Sequence, residues 1–480
     1  MKLSPLSIGT LHFVGIGGIG MSGLAEILHN LGQEVQGSDS AENANVLRLR
    51  KLGIPVHVGQ HKGNIAGARV LVVSTAIPEN NPEVKEARRN GIPVIKRSEV
   101  LAQIMRLKWS IGVTGTHGKT TTTSMIASVL SAAHYDPTVI NGGIVHDYGT
   151  NVRLGKGEWL VAEADESDGT FLRVPSTIAV ITNINPEHLN YYGSFENLKN
   201  CFKSFIQNIP FYGFGVLCMD SEEIRNLIPD IEGREIITYG FHDNADVQAQ
   251  NLSVSKNGIT FDVKLNKSIG EIEKTTYKNL FLPMAGEHNV QNCLSAITIA
   301  LKMSIDIDSI TKGLQSFSGV SRRFTQTGEV NGITIVDDYA HHPVEIKAVL
   351  KAAKAICKGK VVAVMQPHRF SRLADLFGDF CTSFENADEV VVAPIHTAGE
   401  KPILGASRDA LVEGIKIAHA LNVHTVDTVE ELAALYSGRL QKNDMVIFLG
   451  AGSITHWAHE FPSILSETLE NGEIKLIKAL

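Results

Sequence analysis

Two glycine-rich segments, each lying between an apolar run and a helical pattern, constrain the fold of this chain more than any other feature. The first segment, Gly15–Gly20, follows the apolar run Leu11–Val14. Glycines at such a turn let the backbone approach a diphosphate, and the helix N-terminus favours its negative charge. Asp39 lies about 20 residues further on, where it can bond a ribose hydroxyl. A nicotinamide, a flavin or another diphosphate fits this pattern, and so does a turn that binds nothing.

The second glycine segment, Thr114–Thr121, lies between the apolar run Ile111–Val113 and a helical pattern. Its backbone N–H groups can cradle phosphates, Lys119 can reach the β- and γ-phosphates, and Thr120 can ligate Mg²⁺. The spacing differs from the usual phosphate loop because Val113 occupies the place of the first glycine. The residues predicted to bind phosphate are Gly115, Thr116, His117, Gly118, Lys119, Thr120 and Thr121.

The pair of glycine segments indicates more than either segment alone. Two phosphate loops in one chain need two phosphate-bearing ligands. A simple dehydrogenase has no use for a lysine-threonine loop, and a simple ATPase has no use for the first loop. A coincidental glycine turn is the competing interpretation of each motif.

The pattern of elements predicts an α/β protein with three domains. We place a Rossmann-like, doubly wound domain at residues 1–107, a phosphate-loop domain at 108–324 and a second Rossmann-like domain at 325–480. Residues 252–265 alternate between apolar and polar around Asn257-Gly258, which predicts a hairpin. The central domain is therefore expected to add a small antiparallel part to a parallel sheet.

Composition narrows the class of protein and its compartment. A formal net charge of −7 argues against a general nucleic-acid binder. The five cysteines are scattered and form no CxxC pair, which favours a reducing compartment. With no signal peptide and no long apolar run in the sequence, we expect a cytoplasmic protein without membrane insertion. A monomer and a homodimer both remain open.

Polar clusters follow two predicted strands of the central domain. Glu163–Asp168 ends one strand, at the edge where doubly wound sheets bind ligands, and Mg²⁺ commonly takes one or two carboxylates. Asn183–Asn190 follows the next strand and contains His188. The bland interpretations are a solvated acidic loop and a structural histidine.

The third domain contributes two further clusters, Asp337–Pro343 and Gln366–Arg372, each at a predicted strand end. They are expected to face one crevice, where an arginine suits a carboxylate through bidentate hydrogen bonds. Gly286–Asn289 precedes a helix and can cap it or meet a ligand. Arg322-Arg323 lies at the domain junction and is either a phosphate contact or a solvated pair.

Taken in order, these motifs resemble the Mur ligases, and specifically the alanine-adding branch of that family. The resemblance rests on His12–Gly18, Glu163–Asp168 and Asp337–Pro343, and it extends to Gly450–Ser453. It implies that ATP phosphorylates the lactyl carboxylate of UDP-N-acetylmuramate, and that L-alanine attacks the acyl phosphate to form an amide. It further implies that the first loop holds the UDP diphosphate rather than NAD, and that the cofactors are ATP and two Mg²⁺ ions.

The same resemblance assigns site residues by similarity. The UDP-substrate residues are Gly15, Gly17, Gly18, Gly20, Asp39, Ser74 and Thr75. Beyond the phosphate loop, the ATP residues are His288, Asn289, Asn292, Arg323 and Asp338. The metal ligands are Thr120, Glu163 and His188, and the amino-acid residues are Tyr339, His341, His368 and Arg372. The catalytic set is Lys119, Glu163, His188, His341 and His368.

Several alternatives stay open at this point. The base that deprotonates the amine is His341, His368, water or phosphate. The nearest rival function is a ligase that attaches a preformed tripeptide to UDP-N-acetylmuramate in peptidoglycan recycling. A nicotinamide-dependent oxidoreductase and a catalytically silent nucleotide-binding regulator belong to other classes.

Overall fold

A computed structural model describes residues 8–74, 76–167 and 169–479 and shows three α/β domains, each built around its own sheet. Thr75, assigned above to the UDP substrate, and Asp168 of the acidic motif lie outside the described residues. The three-domain α/β class predicted from the sequence is confirmed. No helix in the described ranges is long and apolar enough to cross a membrane.

The first sheet has five parallel strands in the order β3-β2-β1-β4-β5. Its central strand is buried almost throughout, as expected for a parallel strand covered by helices on both faces. The glycine loop at Gly15 follows that strand. The strands are β1 Thr10–Val14, β2 Val35–Asp39, β3 Val56–Val58, β4 Ala68–Val73 and β5 Val94–Lys96, and the helices are α1 Ile19–Asn30, α2 Ala44–Lys51, α3 Pro82–Arg89 and α4 Arg97–Met105.

The second sheet has ten strands in the order β15-β14-β13-β12-β11-β10-β6-β9-β7-β8. Strand β6, which carries the second glycine loop, lies between β10 and β9 and pairs with both in parallel. The strands are β6 Trp109–Thr114, β7 Thr138–Val145, β8 Thr150–Arg153, β9 Trp159–Glu163, β10 Ile178–Ile181, β11 Phe214–Cys218, β12 Glu235–Gly240, β13 Val247–Ser255, β14 Gly258–Leu265 and β15 Thr276–Leu282. The helices are α5 Lys119–Ala132, α6 Leu189–Tyr192, α7 Phe195–Gln207, α8 Glu222–Leu227, α9 Glu287–Lys302 and α10 Ile307–Gln315.

The predicted hairpin is present as β13 and β14, which are joined by residues 256 and 257 alone. A two-residue connection joins antiparallel neighbours. The antiparallel part is larger than the sequence indicated, because it continues the ten-stranded sheet and because β7 and β8 form a second antiparallel pair at the other edge.

The third sheet has six strands in the order β16-β17-β21-β18-β19-β20, and only the β16–β17 pair is antiparallel. Alternate residues of β18 enter opposite cores: Val361, Ala363 and Met365 on one face, Val362 and Val364 on the other. The strands are β16 Thr325–Val330, β17 Ile333–Asp338, β18 Val361–Met365, β19 Glu389–Val392, β20 Asn422–Thr425 and β21 Met445–Leu449. The helices are α11 Pro343–Ile356, α12 Phe370–Asp375, α13 Phe377–Cys381, α14 Arg408–His419, α15 Val429–Tyr436 and α16 Ile454–Ala479.

The chain forms two compact units. The first contains the first sheet and most of the second, and it ends at Ser318. The second contains the third sheet from Gly319 onward and also takes in Ser253–Thr260 and Pro283–Asn289. Each unit carries part of the predicted site.

Candidate active site

The second glycine loop of the first unit connects β6 to α5. Gly115 and Gly118 both have positive φ, of 129° and 80°, which an L side chain rarely adopts. A Cβ on Gly115 would lie 2.2 Å from Thr182 Oγ1, and one on Gly118 would lie 2.6 Å from Asn292 Oδ1. These positions require glycine for space as well as for conformation.

Neighbouring residues hold this loop from outside. Thr182 Oγ1 donates a hydrogen bond to the carbonyl of His117 over 2.6 Å, and Asn183 Oδ1 accepts from the N–H of His117 over 2.9 Å. On the other side, Thr122 Oγ1 donates to Asn292 Oδ1 over 3.2 Å. The predicted ATP residue Asn292 therefore lies directly against the loop.

Lys119 is surrounded by oxygen. Its Nζ donates to the carbonyls of Gly115 and Thr116 over 2.8 and 3.1 Å, and it lies 2.8 Å from Glu166 Oε2. Burial opposes its charge, but the carboxylates of Glu166, Asp165 and Glu163 outweigh burial and hold the pKa of Lys119 above its usual range. Lys119 is therefore a fixed positive charge at the place where phosphate oxygens are expected.

Glu163, the last residue of β9, meets the threonine that follows the lysine. Thr120 Oγ1 donates to Glu163 Oε2 over 2.9 Å, and the N–H of Gly142 donates to the same oxygen over 2.8 Å. These two donors fix the carboxylate and leave its second oxygen outside both hydrogen bonds. A hydroxyl and a carboxylate in this arrangement suit Mg²⁺, which prefers oxygen ligands.

A second group of candidate metal ligands consists of Glu166, Glu187 and His188, with one ligand atom from each lying within 4.8 Å of the others. His188 has a φ of 56°, and its Nε2 lies 3.8 Å from Glu166 Oε1 and 3.9 Å from Glu187 Oε2. The predicted ligand His188 thus lies with two carboxylates that the sequence interpretation did not assign. Their chemistry fits a divalent cation.

The first glycine loop is held by the aspartate that ends β2. The N–H of Gly17 donates to Asp39 Oδ2 over 2.8 Å, and the N–H of Ala41 donates to Asp39 Oδ1 over 3.3 Å. A Cβ on Gly17 would lie 2.8 Å from the same carboxylate oxygen. Asp39 therefore positions the loop itself, a contact that the predicted ribose role did not include.

A cavity of about 560 Å³ joins this first loop to the acidic end of β9. Ser74 and Arg97 line it, as do Glu163 and Asp165. Arg97 Nη1 lies 2.8 Å from the position that a Cβ on Gly20 would take. Its charge and that of Lys119 both lower the pKa of Asp165 against the opposing effect of burial. The remaining predicted UDP-substrate residues on the cavity wall are Gly15, Gly17, Gly18, Gly20 and Asp39.

The second unit contains a buried carboxylate at the end of β17. Asp338 accepts hydrogen bonds from the N–H groups of Phe324 and Ala340, each over 2.7 Å. Burial raises the pKa of Asp338 to about 6, against the opposing charge of Arg323. Arg323 also lies over the ring of Tyr339, with its guanidinium carbon 5.2 Å from the ring centroid.

Histidines cluster next to this carboxylate. His341 lies edge-on to Tyr339, with ring centroids 5.0 Å apart, and its Nδ1 is 3.4 Å from Glu345 Oε2. The ring centroid of His368 lies 6.2 Å from that of His341. It lies 5.1 Å from that of His396, and the two rings stack with an interplanar angle of 7°. Burial and the surrounding positive groups lower the pKa of His368 to about 3. His368 is therefore neutral at physiological pH.

Three further predicted residues lie in the second unit, and one of them contacts these rings. Arg372 Nη1 lies 3.4 Å from His368 Nδ1. Burial, helped by the charge of Arg323, lowers the pKa of His288 to about 4. Asn289 Nδ2 donates to the carbonyl of Ala285 over 2.7 Å. The structure thus brings together the predicted amino-acid residues of the third domain in one cluster.

Four residues in these sites were missed from the sequence. Glu166 had a weak signal, since it lies in the acidic motif that was assigned through Glu163 alone. Glu187 likewise had a weak signal, since it precedes His188 in the segment Asn183–Asn190. Arg97 and His396 stand in no phosphate or amino-acid motif, and their role depends on how separate elements pack. Arg322, which was paired with Arg323 above, has a structural contact: its Nη2 donates to the carbonyl of Gly450 over 2.5 Å.

Three family models match consecutive parts of this chain. The model described as "Mur ligase family, catalytic domain" matches residues 10–109, and "Mur ligase middle domain" matches residues 113–300. The model described as "Mur ligase, glutamate ligase domain" matches residues 322–452. Together the matches extend over most of the chain.

Individual relatives agree with the family models. A UDP-N-acetylmuramate--L-alanine ligase of Acidiphilium cryptum is 53% identical over 470 residues, which cover 98% of each chain. The crystal structure of the UDP-N-acetylmuramate-alanine ligase MurC from Thermotoga maritima has a TM-score of 0.80 at 30% identity, covering 96% of this chain and 100% of its own. A murein peptide ligase from Psychrobacter arcticus has a TM-score of 0.68 at 22% identity, covering 95% and 99%, and shares the fold.

Proposed function

This chain belongs to the Mur ligase family, and on that premise we propose that it is an ATP-dependent ligase that joins L-alanine to UDP-N-acetylmuramate. The product is an amide on the lactyl carboxylate, an early step of peptidoglycan precursor synthesis. The relative at 53% identity carries this activity in its name, and the two chains cover 98% of each other. The predicted domain ranges 1–107, 108–324 and 325–480 are proposed to bind the UDP substrate, ATP and the amino acid respectively.

The cavity of about 560 Å³ that lies between the first glycine loop and the end of β9 is the observation that carries the proposal. One wall is the glycine loop from Gly15 to Gly20, and another is formed by Glu163 and Asp165 at the end of β9. Glu163 also accepts from Thr120 of the ATP loop over 2.9 Å. A nucleotide sugar held by the first loop would therefore extend toward the carboxylate that marks the ATP site.

In the first half-reaction the lactyl carboxylate attacks the γ-phosphate of ATP, ADP departs and an acyl phosphate forms. Lys119 is placed to neutralise phosphoryl oxygens, because it stays protonated and its Nζ already lies among oxygen acceptors. Activation is needed because oxide is a poor leaving group and phosphate is a good one. One positioned donor is worth about 3–4 kcal/mol in the transition state.

Two groups of side chains fit divalent cations by the chemistry of their donors. Thr120 and Glu163 would hold one ion, and Glu166, Glu187 and His188 would hold a second. Bound Mg²⁺ would supply positive charge to the β- and γ-phosphate oxygens. The side chains themselves contribute orientation: Gly142 and Thr120 fix one oxygen of Glu163.

In the second half-reaction the amino group of L-alanine attacks the acyl carbon, and phosphate leaves. We assign L-alanine to Tyr339, His341, His368 and Arg372 in the second unit. Arg372 suits the carboxylate of the amino acid. A neutral His368 can accept a hydrogen bond from the amine, but its lowered pKa makes it a weak base. His341 is the better base, because Glu345 lies 3.4 Å away and would stabilise the imidazolium.

The experiment that tests this function follows phosphate release from ATP and Mg²⁺ with UDP-N-acetylmuramate, with and without L-alanine. UDP-N-acetylglucosamine is the matched control, because it presents the same UDP-sugar without the lactyl carboxylate. We expect release that requires both L-alanine and the lactyl group, with the amide identified by mass.

Other outcomes identify the rival functions. Release that requires the tripeptide instead of L-alanine would establish the recycling ligase and overturn the amino-acid assignment. Binding of NADH to the first loop, without turnover of either acceptor, would favour an oxidoreductase. We also expect a pocket that fits the alanine methyl group, which would favour L-alanine over glycine by about 1–3 kcal/mol. Equal use of glycine and L-alanine would contradict such a pocket.

A further inference from the structure

A second and larger cavity, of about 960 Å³, lies in the first unit away from both phosphate loops. It is lined where β6 and β9 begin, by Trp109 and Ser110 and by Glu158, whereas the catalytic loops follow the ends of these strands. Its volume is in the range of sites that enclose a drug-sized molecule, about 300–1,000 Å³. The proposed ligase reaction gives this cavity no role.

The interior of this cavity is apolar. Ile27 and Leu31 from the end of α1 line one side, and Ile104 and Met105 from the end of α4 line another. Leu154, 39% exposed, stands at its edge. Aromatic residues mark the mouth: Trp109 and Tyr212 are 46% and 58% exposed, and their rings meet edge to face at 5.8 Å. An exposed aromatic pair at the mouth of an apolar cavity favours a ligand with an apolar body.

The polar lining is biased toward positive charge. Arg106 and Lys156 are exposed at the edge of the cavity, and Glu158 is an exposed carboxylate there. Lys108 contributes a third positive charge but no free donor, because its Nζ donates to the carbonyls of Gly155 and Gly157, each over 2.7 Å, and to Thr138 Oγ1 over 2.8 Å. Three cations against one carboxylate favour an anionic group on the ligand.

The serine hydroxyls of the lining are not available to a ligand. Ser176 lines the cavity and is 5% exposed, and its Oγ has no hydrogen-bond partner within the part of the chain that the structure describes. This Oγ atom is itself buried and lies against Gly112, where a Cβ would come within 2.2 Å of it. The neighbouring Ser110 donates to the carbonyl of Pro175 over 2.5 Å.

We propose that this cavity is a binding site for an amphipathic anion, a molecule with one apolar body and one negatively charged head group. The apolar body lies between the ends of α1 and α4, and the head group faces Arg106 and Lys156. The same chemistry is shared by fatty acids and by aromatic carboxylates, and the site is separate from those for ATP, the UDP-sugar and the amino acid.

The test uses the full chain saturated with ADP and UDP, so that both nucleotide sites are filled. The probe is 1-anilinonaphthalene-8-sulfonate, whose fluorescence rises in apolar surroundings, and N-phenyl-1-naphthylamine is its neutral counterpart. We expect one equivalent of the anionic probe to bind, at least tenfold more tightly than the neutral probe. Energy transfer from Trp109 should accompany binding, and Trp109→Phe should reduce the transfer while the probe still binds.

Matched variants locate the probe. Leu154→Asp places a carboxylate at the edge of the cavity and should weaken binding at least fivefold, because it removes apolar lining and repels the anion. Ile417→Asp is the control, since Ile417 is 84% exposed on α14 outside the cavity. The double variant Arg106→Glu/Lys156→Glu should bring the affinities for the two probes to within threefold. Both cations are exposed, so the fold is expected to persist, and thermal unfolding checks it.

Each outcome decides the proposal. Displacement of the probe by dodecanoate identifies an acyl chain, and displacement by 2-naphthoate identifies an aromatic carboxylate; displacement by neither overturns the proposal. Unchanged binding in Leu154→Asp would place the probe elsewhere and would also overturn it. Equal affinity of the wild-type chain for both probes would refute the anionic head group. None of these measurements depends on ligase turnover, so failure here is distinct from failure of the proposed function.

Discussion

The two glycine loops have the same place in their sheets but obtain their positive charge differently. The loop at Gly118 is followed at once by Lys119, whose ammonium turns back onto the loop carbonyls. The loop at Gly17 has no lysine, and the cation beside it is Arg97, the first residue of α4. One loop carries its cation in its own motif, whereas the other receives it from a helix that begins after β5.

This difference explains what each motif discloses. A phosphate loop that contains its lysine indicates, in one short segment, both the backbone N–H groups that bind phosphate and the positive charge. A glycine loop whose cation comes from another element indicates only the backbone site for a phosphate. The sequence motif therefore did not decide between a dinucleotide and a nucleotide sugar as its ligand. The charges of Lys119 and Arg97 both lower the pKa of Asp165, so this carboxylate is affected by the cations of both loops.

The largest expected effect comes from removing the cation that belongs to a loop. Lys119→Ala should lower kcat by roughly 10²–10³-fold, because a positioned charge that stabilises the transferring phosphoryl group is lost. The KM for UDP-N-acetylmuramate should change by less than threefold. Steady-state kinetics in each substrate measure this, with the exposed residue Lys85 replaced by alanine as the control. A large rise in that KM would contradict the separation of the two loops.

Removing Arg97, the cation beside the first loop, should affect the KM for the UDP substrate and leave the KM for ATP unchanged. Arg97→Ala should raise the KM for UDP-N-acetylmuramate by roughly 10–100-fold, the equivalent of one charge-assisted hydrogen bond. The KM for ATP should stay within threefold of the wild-type value. Arg88→Ala, on the exposed face of α3, is the matched control. If the KM for ATP rose instead, Arg97 would belong to the ATP site and the comparison would fail.

A third prediction uses pH and concerns the buried carboxylate of Asp338 in the second unit. Burial raises the pKa of Asp338 to about 6, so its carboxylate is ionised above pH 6 and protonated as the pH falls through 6. If the ionised form is required, kcat/KM should fall about tenfold between pH 7 and pH 5. The pH profile of Asp338→Asn should lack this acid limb, and that of Arg97→Lys should retain it. An acid limb that persists in Asp338→Asn would assign the titration to another group.

The smallest effect concerns stability and sharpens the contrast in how the loops are held. Gly118→Ala combines a strained φ of 80° with a collision against Asn292, and should destabilise the protein by about 2–3 kcal/mol. Gly53→Ala has a φ of 89° with no atom within 4 Å, so only strain of about 1 kcal/mol is expected. Urea unfolding measures both. Adding Asn292→Ala to Gly118→Ala should recover part of the loss; no recovery would exclude the collision.

Much of the fold could be predicted because its signals are local. Apolar runs bounded by glycines gave the buried parallel strands, and Asn257-Gly258 gave the hairpin of β13 and β14. The extent of the second sheet could not be predicted in this way. The pairing of β7 with β8 and the continuation from β12 to β15 depend on which strand edges meet, and edge pairing carries little sequence pattern.

The candidate site likewise contains contacts that could be predicted from the sequence and contacts that could not. The contact of Thr120 with Glu163 follows from strand order, since β6 and β9 are neighbours and both side chains stand at the same sheet edge. The contact of Glu166 with Lys119 could not be predicted, because it depends on how the chain turns back after β9. His396 could be assigned only once its ring was seen to stack on His368. The roles of the individual site residues remain predictions that the variants above test.

The support of the ATP loop by distant residues also sets an order of events during synthesis. Strand β6 pairs with β9 and β10, which both follow it in the chain, and Thr122 meets Asn292 across a separation of 170 residues. At a translation rate of about 5–20 residues per second, the loop would wait roughly 10–30 s for its last contact. A nascent chain that ends before α9 should therefore fail to retain ATP, although it already contains every residue of the glycine loop.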